Sequence, residues 1–230
     1  MEMPLVTNST ETHLDTFGDF HLTALKAEPA AATIATGFDV VQTALGDALK
    51  VRKAADVVAA ECEAILFRAE VDLEDAVRQV EGRALLHVKK NRKAEPYVTA
   101  FPKGLGGALA PTGKSQSAEA RRIVTSLGPE TGVPADVTAL LPEVTRLATQ
   151  LDEKCDASEA AARAAHAALA VEKTELRRWR EQYRKDHGLL TVLWPTDRKR
   201  VESFFKKVKR NKKTTPGSGT TGGPTGTPVG

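Results

Sequence analysis

Two runs of heptad-spaced apolar residues leave this chain little choice of architecture. After Pro29, steps of four and three residues lead from Ile34 through Phe38, Val41 and Leu45 to His87, and thirteen of the sixteen positions are apolar. After Pro142 the same spacing leads from Val144 through Ala148 and Leu151 to Tyr183, with ten of twelve positions apolar or aromatic. The positions between are rich in Glu, Asp, Lys and Arg. A narrow stripe sustained over so many turns stays buried only if long helices pack at a shallow crossing angle. Each helix would run about 50–55 residues, or roughly 75–85 Å at about 1.5 Å per residue. Helix breakers frame both runs: Pro29 before the first, Asn91 and Pro96 after it, Pro134 and Pro142 near the start of the second, and Gly188 and Pro195 at its end.

Two such helices in one chain most simply form an antiparallel hairpin. The expected fold is therefore all-α, an elongated two-helix coiled-coil hairpin with long helices over about 30–90 and 135–187. Composition agrees, because aromatics make up only 5% of the chain while Ala alone supplies 34 residues. Close helix packing suits such residues, whereas strands favour β-branched and aromatic ones. The stripes are interrupted by Arg52, Arg83, Ser158 and Glu172, which would pin the register or mark where a third element covers the seam. Residues 91–133 are too long for a tight turn and carry Tyr97, Val98, Phe101, Leu105 and Leu109. They are read as a small cap at the hairpin tip, with a short helix starting at Ser117 and stopped by Gly128-Pro129. Two short helices are expected at the base, one around Leu14–Ala27 and one over 196–210. Residues 1–13 read as a flexible terminus. Residues 211–230, almost entirely Gly, Thr and Pro, read as a disordered tail that cannot bury a core.

Charge is uneven along the chain. The window from Arg198 to Lys213 holds nine basic residues and one acid, so it carries +8 and leaves −5 for the rest of a chain whose net charge is +3. Arg198, Lys199, Arg200, Lys206, Lys207, Lys209, Arg210, Lys212 and Lys213 are the candidate contacts to a nucleic-acid backbone or an anionic membrane surface. Phe204, Phe205 and Val208 interleave with them and are expected to pack on the hairpin base.

Catalytic signatures are weak. Ala108–Ser115 reads A-x-x-x-x-G-K-S, a relaxed phosphate-loop pattern in which Ala replaces the first Gly. A working loop needs a buried strand before it and a helix starting at the Lys. Here Pro102, Gly104, Gly106 and Gly107 break the preceding run, and the helix is expected to begin late, so the match reads as chance. His13, His21, His87, His166 and His187 show no His-x-x-x-His or Glu-x-x-His spacing, and only His13, Asp15, Asp19 and His21 could cluster. Cys62 and Cys155 lie on the stripe as buried thiols, too far out of register for a disulfide. No metal, cofactor or catalytic residue is assigned. No apolar run approaches a membrane span, and Met1–Asp15 has no signal-peptide character, so a cytoplasmic protein is expected. The expected function is non-enzymatic: a structural or adaptor protein with an unknown protein partner, or one that self-associates. Nucleic-acid or anionic-membrane binding through 198–213 is the alternative.

Overall fold

The computed structural model describes residue 4 and residues 8–207. Among them every regular element is helical. Two helices dominate, α2 over Ala32–His87 and α7 over Leu141–Leu193, and they pair as an antiparallel hairpin. Six short helices accompany them: α1 (Asp19–Lys26), α3 (Tyr97–Ala100), α4 (Gly104–Ala108), α5 (Gly113–Ser126), α6 (Ala135–Thr138) and α8 (Arg198–Ser203). The chain divides into two compact units, Met1–Ala35 with Asp186–Gly230, and Thr36–Lys185.

In the larger unit the predicted stripes meet. Near the ends of the hairpin farthest from the cap, Phe38 is fully buried against Trp179 and Tyr183, at ring-centroid distances of 5.5 and 6.1 Å. The Trp179 indole N–H donates to Gln42 Oε1 at 2.7 Å, which satisfies the one polar atom of that ring. At the other end, Leu73, Val77 and Val80 of α2 share a core with Val144, Ala148 and Leu151 of α7. Tyr97, Phe101, Ile123 and Leu127 of the cap complete that core. The Tyr97 hydroxyl donates to the buried Glu81 carboxylate at 2.6 Å.

Between these two cores, among the described residues, the hairpin consists of its two long helices. Arg52 and Glu172, the polar interruptions of the two stripes, meet here as an ion pair with Nε–Oε2 at 2.5 Å. The α7 seam departs locally from the expected one. Ala161 and Ala168 are buried, while Ala162 is exposed and Leu169 only half-buried. On α2 the nearby Val51, Val58 and Ile65 are each half or more exposed.

The helix ends also differ in detail from the breakers read in sequence. At its end α2 gives way to Lys89 and Lys90, both with left-handed φ (51° and 63°), and the Lys90 N–H returns to the Leu85 carbonyl at 2.8 Å. Gly188 does not stop α7, which runs to Leu193 and yields only at Trp194-Pro195. Pro142 lies in the first turn of α7, where its missing N–H has no helical partner to lose.

The smaller unit is built on α1, α8 and the terminal turns of the long helices. Its N-terminal helix begins at Thr10, ahead of the expected Leu14, because Ser9 Oγ accepts the Thr12 N–H at 3.2 Å. Thr12–Gly18 is wound as a π-helix before α1 continues it. Leu25, Leu190, Val201, Phe204 and Phe205 form the buried apolar side. The expected helix over 196–210 is observed as α8 alone. The chain leaves the helix after Ser203, and 208–210 lie outside the described residues, as does the expected tail 211–230.

Candidate functional site

The basic segment is only partly free to bind. Asp197 caps α8 by accepting the Arg200 N–H at 3.0 Å. The Arg200 guanidinium pairs with Glu28 and lies 4.5 Å above the Trp194 ring. That contact holds the Glu28 carboxyl below its ordinary range. Arg198 pairs with Glu202 at 2.8 Å, one helical turn on, and lowers its pKa as well. Both arginines thus serve α8 and its surroundings. Phe204 stacks on Trp194 at 5.5 Å, and Phe205 stacks on the fully buried His21 at 4.6 Å. The two phenylalanines are core residues of this unit, as expected. Lys199, Lys206 and Lys207 remain exposed, on the rim of a depression of about 600 Å³ that also holds Phe20 and Glu202. Lys209, Arg210, Lys212 and Lys213 lie outside the described residues.

Sequence reasoning missed a buried polar cluster behind those rings. His21 Nδ1 sits 2.9 Å from the Phe204 carbonyl and Nε2 sits 3.2 Å from Asp186 Oδ2, with both side chains inaccessible to water. These contacts span more than 160 residues of sequence, so no local pattern announced them. They tie α1, the last turns of α7 and the segment after α8 together. Of the four side chains that could cluster near the N-terminus, His13 directs Nδ1 at its own Ser9 carbonyl at 2.9 Å, and His21 is committed to Phe204 and Asp186. No group of three or more metal-ligating side chains occurs among the described residues.

The phosphate-loop-like segment has a different use. Helix α5 starts at Gly113, not at Ser117. Gly113 takes a left-handed φ of 56°, and its N–H donates to Glu70 Oε1 of α2 at 2.8 Å. The helix N-terminus therefore faces a carboxylate of the chain itself. Lys114 reaches Asp156 of α7 at 2.5 Å, an exposed pair that raises the lysine's pKa. Ser117, expected to begin the helix, instead donates to Asp152 of α7 and to the Lys114 carbonyl. Burial pushes the Asp152 carboxyl up, but hydrogen bonds from Ser117 and Arg121 outweigh it and hold the group below its ordinary value. The whole motif acts as a clamp between the cap and both long helices. Cys155 lies under this clamp, and burial raises its thiol pKa. Cys62 is half-buried, and both cysteines are free.

The remaining feature is the uncovered middle of the hairpin. Val51, Val57, Val58, Ile65 and Phe67 of α2 and Val171 of α7 are each half or more exposed. Nine of the fourteen residues from Ala157 to Ala170 are alanine. The polar and apolar residues here are sorted by face. One face carries Lys53, Asp56, Glu63, Glu159, Arg163 and Lys173 together with the exposed Phe67, whereas the opposite one carries Val51, Val58, Ile65, Ala157, Ala164 and Val171 with a single acid, Glu61.

No protein-family model, curated protein or solved structure matches this chain. No helix among the described residues is long and apolar enough to cross a membrane.

Proposed function

We propose that the chain is a non-enzymatic structural or adaptor protein that works by protein–protein contact along its helical hairpin, in the cytoplasm. The observation that supports this reading is the bare middle stretch. Isolated apolar residues on a surface are ordinary, but a contiguous apolar face with one acid, flanked by charge, marks a contact surface. The phosphate-loop-like residues 108–115 act in the same reading as a structural joint, with no cofactor. A second reading keeps the basic segment 198–213 as a contact to nucleic acid or an anionic membrane. Its support is the exposed trio Lys199, Lys206 and Lys207 beside Phe20.

Capture of partners by the intact chain separates the two. One variant carries Val58→Glu on the hairpin. The other carries Lys199, Lys206 and Lys207 replaced by Gln. Partners lost only with Val58→Glu support the hairpin reading. Partners lost only on neutralising the lysines, with capture weakening steeply as salt rises, support the second.

A further inference from the structure

We propose that the apolar middle face, whose one charge is Glu61, packs against the same face of a second copy of the chain, with the two hairpins antiparallel about a two-fold axis through Val58 and Ala164. The proposal rests on the interaction reading above and supplies its partner. A shallow groove lined by Ile65, Arg68 and Asp72 of α2 and by Leu147, Gln150 and Lys154 of α7 shows which flanks of the two helices share this face. Steps of three and four along those flanks reach Val51, Ala54 and Val58 on α2, and Ala157, Ala164 and Val171 on α7, with Ala161 and Ala168 between them already turned into the hairpin seam. Between the Arg52–Glu172 ion pair and the Ile65–Lys154 groove, Val58 comes level with Ala164. One axis can therefore serve both helices.

Charge complementarity selects the occupant and its direction. The cap-side end of the face carries the exposed cations Arg68 and Lys154, and the other end carries the acids Asp47 and Glu175. A copy turned about an in-plane axis perpendicular to the helices sets Arg68 opposite the second copy's Asp47, and Lys154 opposite the second copy's Glu175. Ile65 then meets Val51, Ala157 meets Val171, and Glu61 falls on Ala54, so no like charges collide. A parallel copy would instead stack Arg68 on Lys154 and Asp47 on Glu175, cation on cation and acid on acid. The contact is isologous and closes after two chains. Arg68, Asp47 and Glu175 already hold partners on their own helices, but only Glu175 is largely shielded from water, so the exposed pairs can exchange at little loss.

The size is adequate. From Asp47 to Arg68 the face runs roughly 32 Å, and two helices side by side are about 20 Å wide. That is about 650 Å² per copy and about 1,300 Å² in all, within the range of specific interfaces. Alanines on α7 allow the short helix separation of about 8 Å that such a four-helix layer requires.

Sedimentation equilibrium on the intact chain is expected to give twice the mass of the chain. Val58→Glu with Ala164→Glu places each new charge against its own copy at the axis and should give a monomer with unchanged circular dichroism. Lys154→Glu alone should weaken association about tenfold, and Lys154→Glu with Glu175→Lys should restore it. Lys154 is exposed, so the single change reads association with the fold intact even if the axial variant does not fold. Ala164→Cys should give a covalent dimer on oxidation, because Ala164 meets itself. A wild-type chain that stays monomeric at every concentration overturns the proposal, and so does tighter association in Lys154→Glu, which marks a parallel pair. If the wild type is monomeric yet Val58→Glu still abolishes partner capture, the interaction reading stands with a different partner. If capture is also unaffected, both fall.

Discussion

The Arg52–Glu172 ion pair allows a test in which single and double changes must move oppositely. Glu172 is 8% exposed at its side chain and Arg52 27%, so the acid is the more desolvated partner. Arg52 also contacts Asp56 on its own helix at 2.5 Å. Arg52→Met therefore takes from a buried carboxylate the cation that meets it across the seam. We expect a loss of about 3 kcal/mol, the low end for breaking a buried pair, because Arg52 itself retains some water. Glu172→Leu leaves a cation that keeps Asp56 and can extend its long stem into solvent, so about 1–2 kcal/mol is expected. The double change replaces two partly desolvated charges by apolar side chains on an apolar seam. It should lie within about 1 kcal/mol of the wild type. The coupling between the sites then comes out at about 3–6 kcal/mol, large against a typical total stability of about 5–15 kcal/mol. Urea unfolding followed by far-ultraviolet circular dichroism measures all four corners of the cycle. A double variant that loses the sum of the singles, or an Arg52→Met variant that loses under about 0.5 kcal/mol, would show that the pair is a surface ornament and not a register pin.

Alkali provides a second check. Burial, with the Glu81 contact adding to it, pushes the Tyr97 hydroxyl up to about 12, and burial also raises that of Tyr183. The folded chain thus holds these protons more tightly than the unfolded one, so stability is intact below about pH 10 and falls as pH climbs toward 12, by about 2–3 kcal/mol for Tyr97 alone. Tyrosinate absorbance and helicity recorded together should change in one step; ionisation well ahead of helix loss would contradict the burial. Phe204→Ala and Phe205→Ala should each cost about 3–5 kcal/mol, since both rings are buried and stacked. Vesicle binding that vanishes while thermal stability holds would instead make those rings membrane anchors.

Much of this protein was legible before any coordinates. Period alone marked both long helices, their antiparallel return, the caps of apolar residues at each end and the two polar interruptions that turned out to face each other, Arg52 and Glu172. A heptad stripe is local information: it says which side of a helix must be buried, and burial of a stripe that long admits few partners. Helix ends were read less well for the same reason. Gly188 looked like a stop, yet it costs only about 1 kcal/mol inside a helix, which packing around Leu190 offsets. The start of α5 at Gly113 depends on Glu70, forty-three residues earlier in the chain and across the hairpin. The burial of His21 depends on Asp186 and the Phe204 carbonyl. Which flank of α7 turns inward, Ala161 with Ala168 or Ala162 with Leu169, was equally beyond sequence, because adjacent alanines offer a pattern no preference. Contacts between residues far apart in sequence are chosen by the shape and charge of whichever surface arrives opposite, and that surface exists only once the helices have packed.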